Sequence, residues 1–116
     1  NFKDTHNRGN QAKPYAMIHS TNMCTEISIA NRSDSTATCT LASLNLGRFT
    51  SKPGVGIKVA DLSFEEKVKL LDWDELEETV KIAIQALDNV IDINFFPTPE
   101  AEKNSFDLRP LGLGIM

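Results

Sequence analysis

The stretch TNMCTEIS, residues 21–28, sets an amide, a thiol and a carboxylate at alternate positions, Asn22, Cys24 and Glu26. In an extended segment successive side chains point to opposite faces, so these three share one face and Met23, Thr25 and Ile27 share the other. A thiol can act as a nucleophile or carry a hydrogen atom. A carboxylate two places away can act as a general base if burial raises its pKa, and an amide can hold a hydroxyl or fix the carboxylate. A catalytic thiolate wants a histidine or another cation beside it, but His19 lies five positions back, on the opposite face of such a strand. The trio therefore suits a thiol that stays neutral. Composition alone favours a plainer reading, a strand whose polar face meets solvent while Cys24 packs as a small hydrophobe. Cys39 on its own reads as buried packing, and together with Cys24 it raises the option of a redox thiol.

The totals exclude several classes. A chain of 116 residues is one small domain's worth, with room for a modest core. The net charge is −4 and the twelve Lys and Arg are scattered, which argues against a surface that tracks nucleic-acid phosphates. No apolar run approaches the roughly 18 residues of a membrane span and no signal-peptide pattern occurs, so the expectation is a soluble, cytoplasmic protein with no membrane partner. Two cysteines are too few for a secreted disulfide scaffold. Cys24 and Cys39 stand fifteen positions apart with no C-x-x-C, and His6 and His19 do not fall at ligand spacing, so no metal site is expected. The chain begins at Asn1 rather than Met and ends on the apolar RPLGLGIM, which reads as a piece of something larger.

Several elements must position the trio. Residues 1–16 are polar and turn-rich, a loop with at most a short helical turn, leading into a strand over 17–30. The turn formers NRSDST, residues 31–36, separate it from ATCTLASLNLG, residues 37–47. There Cys39, Leu41, Ser43 and Asn45 alternate with Thr40, Ala42, Leu44 and Leu46, as in a short strand or an irregular segment. SKPGVGIKV, residues 51–59, lacks the spacings of a glycine-rich phosphate loop and reads as a surface loop. Ser63 with Glu66 fits a capping box opening a helix near 63–71, and Asp74 with Glu77 fits a second. Leu76, Val80, Ala83, Ile84, Leu87, Val90 and Ile91 then recur on one helical face, with Glu77, Lys81, Gln85 and Asp88 opposite. The result is an amphipathic helix over about 75–93, a packing element without chemistry of its own. FFPTPE, residues 95–100, ends it, because Pro97 and Pro99 cannot continue a helix.

The pattern NMCTEI, followed fifteen residues after its Cys by CTLASLNLG, resembles the large, catalytic subunit of ribonucleotide reductases. FKDTHNRGNQAKPYAMIHSTNMCTEI is similar to the approach to that family's active-site finger loop. LDNVIDINFFPTPEAEKNSFDLRPLGLGIM is similar to its following helix, its DxNxxPxPEA turn and an RPLGLG strand that re-enters the barrel. The likeness runs through essentially the whole chain and is weakest over 48–62.

The resemblance implies an α/β fold, a segment of a ten-stranded barrel. The radical-cysteine finger loop would lie over 17–30, the redox-cysteine segment over 37–47, the helical segment over 63–93 and a return strand over 108–116. It implies that Cys24 becomes a transient thiyl radical and takes the 3′ hydrogen atom of a ribose. Glu26 would accept the 3′-hydroxyl proton, and Asn22 would hold the network and the substrate. Cys39 would be one of a redox pair whose other member lies upstream, so the chain alone is expected to be inactive. Residues of types that match adjacent atoms of one sugar gain their catalytic value from such positioning. The resemblance is to the class that reduces ribonucleoside diphosphates and responds to nucleotide effectors. In it the radical comes from a metal-containing small subunit, the reductant is thioredoxin or glutaredoxin, and this chain binds no cofactor. An adenosylcobalamin-dependent relative is the alternative. Outside the family, the residues leave open a thiol-redox module pairing Cys24 with Cys39, or a non-catalytic interaction domain built on helix 75–93.

Overall fold

Residues 3–52, 54 and 56–116 are described by the computed structural model. The loops expected over 1–16 and 51–59 therefore fall partly, at residues 1, 2, 53 and 55, outside the described residues. The chain folds as α1 (Lys3–Arg8), β1 (Thr40–Leu44), α2 (Phe64–Val68), α3 (Trp73–Ile93), α4 (Pro99–Leu108) and β2 (Leu111–Ile115), with short 3₁₀ turns at Leu46–Phe49 and Val59–Asp61.

Helix α3 is the long amphipathic element that the periodicity predicts, but it starts earlier than its expected cap. The Asp72 carboxylate, not that of Asp74, accepts the backbone N–H three residues on, from Glu75 at 3.0 Å. The cause is upstream. Asp72 donates its own N–H to Phe49 O at 2.7 Å, and Leu71 bridges Thr50, so the chain is held extended as far as Asp72 and turns helical at once. Asp74 then falls in the first turn, where its charge favours the helix dipole. Helix α2 keeps its predicted reciprocal cap, with Ser63 Oγ accepting from Glu66 N and Glu66 Oε2 accepting from Ser63 N. It closes at Val68, three residues short of the expected 71.

Helix α4 is not anticipated by the sequence pattern, in which FFPTPE reads only as a stop. Pro97 does follow the end of α3, but Pro99 occupies the first helical position, where its missing N–H costs nothing. Thr98 Oγ1 caps Ala101 N at 3.2 Å. One short stretch closes one helix and opens the next.

Strands β1 and β2 pair in parallel, in a register running from Thr40 opposite Leu111 to Leu44 opposite Ile115. A short strand thus lies within 37–47, where a strand or an irregular segment was expected, and another within 108–116, each narrower than that span. The described residues hold this two-stranded sheet and not a closed barrel. The expected strand over 17–30 does not form. Its backbone finds no ladder among the described residues, and several of its polar groups are taken up by side chains instead. Helix α3 lies across the sheet and contacts α4.

The core is thin. Leu87 and Ile91 of α3 are buried with Phe49, Ile18, Ala30 and Ala101, while Leu76, Val80 and Ala83 are half-buried. The apolar face is wider than its cover, since Ile84 and Val90, expected in the core, are exposed. The radius of gyration, 18.9 Å, exceeds the about 13 Å typical of a compact chain of this length. No helix among the described residues is long and apolar enough to cross a membrane.

Two neighbours on α3 separate burial from hydrophobicity. Ile91 is 1% exposed and Ile93 is 83% exposed. Ile91→Ala should cost about 2–4 kcal/mol in urea unfolding, through lost transfer energy plus a cavity. Ile93→Ala should change it by less than about 0.5 kcal/mol.

Candidate functional site

Residues 21–27 form a tight turn rather than a strand. Thr25 donates its N–H to Asn22 O at 3.0 Å and adopts a left-handed backbone, φ 67°. A β-branched residue in that region costs on the order of 1–3 kcal/mol and persists only where its surroundings enforce it. Here the Asn22 side chain supplies the enforcement. Its Oδ1 accepts from Ile27 N at 2.9 Å and its Nδ2 donates to Glu26 Oε1 at 2.6 Å. Asn22 and Glu26 thus meet, as the proposed chemistry requires, but because a turn folds one back on the other and not because a pleat aligns them. Cys24 sits exposed at the tip between them, beside Met23, which is 96% exposed.

Both ends of this loop are tied by amides. At the entry, the buried Asn7 of α1 makes both bonds that a neighbouring strand would make. Its Nδ2 donates to Ile18 O at 2.7 Å, and its Oδ1 accepts from Ile18 N at 2.9 Å. Asn10 supports it, donating to Ala16 O at 2.9 Å and to Asn7 Oδ1 at 3.2 Å. At the neck, Asn31 N donates to Met17 O at 3.1 Å, and Asn31 Oδ1 accepts from His19 N at 3.4 Å. At the exit, the fully buried Asn104 of α4 donates to Ala30 O at 3.1 Å and to Ser35 Oγ at 2.9 Å. Tyr15 bonds Ser35 Oγ at 2.7 Å and donates to Asp107 Oδ2 at 2.9 Å. Lys103 and then Tyr15 hold the Asp107 carboxyl below the usual carboxylate range.

Cys39 precedes β1 and is half-buried. By alternation it shares a face with Leu41 and Ser43, as the sequence predicts. In β2 that face carries Gly112 and Gly114. A Cβ at Gly112 would collide with Leu41 Cδ2 and come within 3.7 Å of Cys39 Sγ. Two glycines two residues apart thus leave a groove of about 340 Å³ over the sheet, bounded across from the strands by Glu26 and Ile27. A larger cleft of 830 Å³, lined among others by His6, Tyr15, Ser28 and Asp107, does not reach Asn22, Cys24 or Glu26.

Electrostatics follow from this placement. Burial pushes the Cys39 thiol up, and the negative charge of Glu26 adds to the rise, so Cys39 stays protonated at neutral pH. The described residues contain no cluster of three or more His, Cys, Asp or Glu side chains able to hold a metal ion. No disulfide links the two cysteines.

The corner before β2 is fixed by Arg109, at the end of α4 with a left-handed φ of 42°. Its guanidinium donates to Asp88 Oδ1 at 2.7 Å, Asp88 O at 2.8 Å and Asp92 Oδ1 at 2.8 Å. Asp92 and then Asp88 raise the Arg109 pKa further above its ordinary value. Asp88, expected on the solvent face of α3, is instead half-buried and serves as the anchor of β2.

Over residues 1–116 the chain matches the family model described as ribonucleotide reductase, barrel domain. The chain belongs to the ribonucleotide reductase family. It is 37% identical over 115 residues to the ribonucleoside-diphosphate reductase subunit alpha of Chlamydia pneumoniae, covering 99% of this chain and 10% of that protein. It is 34% identical over 119 residues to the large subunit of Arabidopsis thaliana, covering 98% and 14%. To the large chain of Schizosaccharomyces pombe it is 33% identical over 114 residues, covering 98% and 12%. The chain therefore spans about a tenth to a seventh of the length of these relatives.

The coupling of Cys39 to Glu26 has a measurable sign. The Glu26 carboxylate disfavours the Cys39 thiolate, so Glu26→Gln should speed iodoacetamide alkylation of Cys39 at pH 8. Its pH midpoint should fall yet stay above that of an exposed thiol, because burial remains. Peptide mass spectrometry at graded pH reads both, and an unchanged midpoint would refute the coupling.

Proposed function

We propose that this chain is part of the ten-stranded catalytic barrel of a ribonucleoside-diphosphate reductase large subunit and carries the finger loop on which the reduction takes place. The observation that supports this most directly is the Asn22–Glu26 hydrogen bond across the turn whose tip bears Cys24, with Glu26 also lining the groove over the sheet and its charge reaching Cys39. Membership of the barrel-domain family and the names of the relatives support the substrate class.

In this reading Cys24, once a thiyl radical, takes the 3′ hydrogen atom of the bound ribose. The S–H bond formed is close in strength to the C–H bond broken. Glu26 accepts the 3′-hydroxyl proton, which eases loss of the 2′-hydroxyl, and a thiol of the redox pair gives the proton with which that hydroxyl leaves as water. Asn22 loads one oxygen of that carboxylate and holds the sugar. Cys39, with a partner thiol elsewhere in the full protein, supplies two electrons and ends the cycle in a disulfide. A raised thiol pKa suits that role, because the thiol must keep its proton until it reacts. Each side chain gains its effect by being held within reach of adjacent atoms of one sugar. Thioredoxin or glutaredoxin regenerates the dithiol, and a metal-containing small subunit supplies the radical. The relatives' names, which speak of an alpha or a large subunit, support a small-subunit partner, and an adenosylcobalamin-dependent enzyme is the alternative. Nucleotide effectors would act through parts of the protein beyond this chain.

The test uses the full-length large subunit with its small subunit, reductant and a ribonucleoside diphosphate. Cys24→Ser should reduce deoxynucleotide formation to below about a thousandth. Glu26→Gln should lower kcat by about 10²–10⁴. Cys39→Ser should stop steady-state turnover. A Cys24→Ser enzyme retaining more than about a tenth of its rate would sink the assignment. The isolated 116-residue chain should form no product, since it has only two cysteines and one of them is committed to the radical.

A further inference from the structure

Resting on the reading above, we propose that Asn7 and Asn104 are positioning residues for this reaction, acting through Asn22 and Glu26 by fixing the two ends of the loop 18–30. Neither touches the groove.

A segment outside any sheet has backbone donors and acceptors with no ladder to satisfy them, and each one left buried and unpaired is costly. Ile18 is buried, and both of its backbone polar groups are satisfied by one side chain, that of Asn7. Only a carboxamide can donate and accept in this way at once. Aspartate lacks the donor, leucine lacks both, and serine is too short to reach two groups. Ile18 stands four residues before Asn22, so the bond fixes where the turn begins.

At the other end, Ala30 is buried four residues after Glu26, and its carbonyl accepts from Asn104. Asn104 has no exposed surface, and its Oδ1 finds no hydrogen-bond partner among the described residues. A buried, unsatisfied carbonyl opposes folding. What Asn104 contributes is therefore its pair of donors, to Ala30 O and Ser35 Oγ. The carbonyl of Ala30 can only accept, which fixes the orientation of the amide. Ser35, in turn, bonds Tyr15, so the exit is tied to α4 and to the segment leading in from α1. With both ends pinned and the neck closed by the Asn31–Met17 bond, the Asn22–Ile27 bond can set one turn geometry rather than several.

The test is made in the full-length protein with Asn7→Asp, Asn7→Ser and Asn104→Ser. It reads kcat and KM for the ribonucleoside diphosphate, the unfolding temperature, and iodoacetamide alkylation at Cys24 and Cys39 by peptide mass spectrometry. Asn7→Asp keeps the volume and the acceptor but loses the donor. It should lower kcat about tenfold or more while KM stays within about twofold, as expected when reacting groups are misplaced and binding is intact. Alkylation of Cys39, held back by burial and by the charge of Glu26, should rise about threefold or more, with the already exposed Cys24 unchanged, because the freed loop no longer holds that carboxylate in place. Asn104→Ser should move the same readouts in the same direction. A merely structural role would lower the unfolding temperature and leave kcat per folded molecule and Cys39 alkylation as in the unsubstituted protein. That pattern overturns the proposal. Should the Asn7 variants fail to fold, Asn104→Ser carries the same decision at the other end of the loop. The alkylation readout does not depend on the chemistry assigned to the site. If Cys24→Ser retained turnover, the functional reading would fall while alkylation still reported whether the two asparagines hold the loop.

Discussion

The loop between Ile18 and Ala30 has no strand beside it among the described residues, and the rest of the site depends on how its backbone is satisfied without one. Four asparagines satisfy key points of it, with Asn7 at the entry, Asn22 inside, Asn31 across the neck and Asn104 at the exit. Each carboxamide carries donors and an acceptor on one rigid plane, so it can stand in for a peptide group. A strand would have presented Asn22, Cys24 and Glu26 as a row of separate side chains. The amide-bound turn brings Asn22 and Glu26 into contact and leaves Cys24 at the tip.

The sheet supplies the opposite wall, and its shape comes from what it omits. Gly112 and Gly114 remove two side chains from the face that Cys39, Leu41 and Ser43 share, and the space left is the groove beneath Glu26. Parallel strands are joined by long connections, here α2, α3 and α4 in succession, and such a crossover needs a fixed corner for the second strand to register. Arg109 provides it. Its guanidinium spans Asp88 and Asp92, one turn apart on α3, and anchors the α4–β2 corner. The pair is partly exposed, so its value lies in geometry more than in net stability.

Charge is distributed in keeping with chemistry by neutral thiols. Among the described residues the charged group that acts on Cys39 is a carboxylate, which opposes ionisation. A cysteine that worked as a thiolate nucleophile would have the reverse arrangement. Several basic side chains are engaged elsewhere, Lys103 and Arg32 around Tyr15 and Arg109 on α3. The site therefore joins a protonated thiol, a carboxylate held by an amide, and an open groove.

What is local could be read from the residues alone. The reciprocal cap of α2, the 3.6-residue stripe of α3, the alternation around β1 and the spacing Asn22–Cys24–Glu26 are all set by neighbours a few positions apart, and each was legible. Tertiary structure decided whatever depends on distant partners. Asp72 rather than Asp74 caps α3 because Phe49 holds the chain extended up to it. Asp88 leaves solvent because Arg109, 21 residues on, reaches back to it. Asn7 and Asn104 looked like ordinary polar residues because the groups they bind lie 11 and 74 positions away. Most tellingly, 17–30 has the composition of a strand but no partner strand among the described residues, and a strand exists only where another backbone supplies its hydrogen bonds. A single segment's pattern cannot state whether that partner is present, which is why the residue types of the site could be read and its geometry could not.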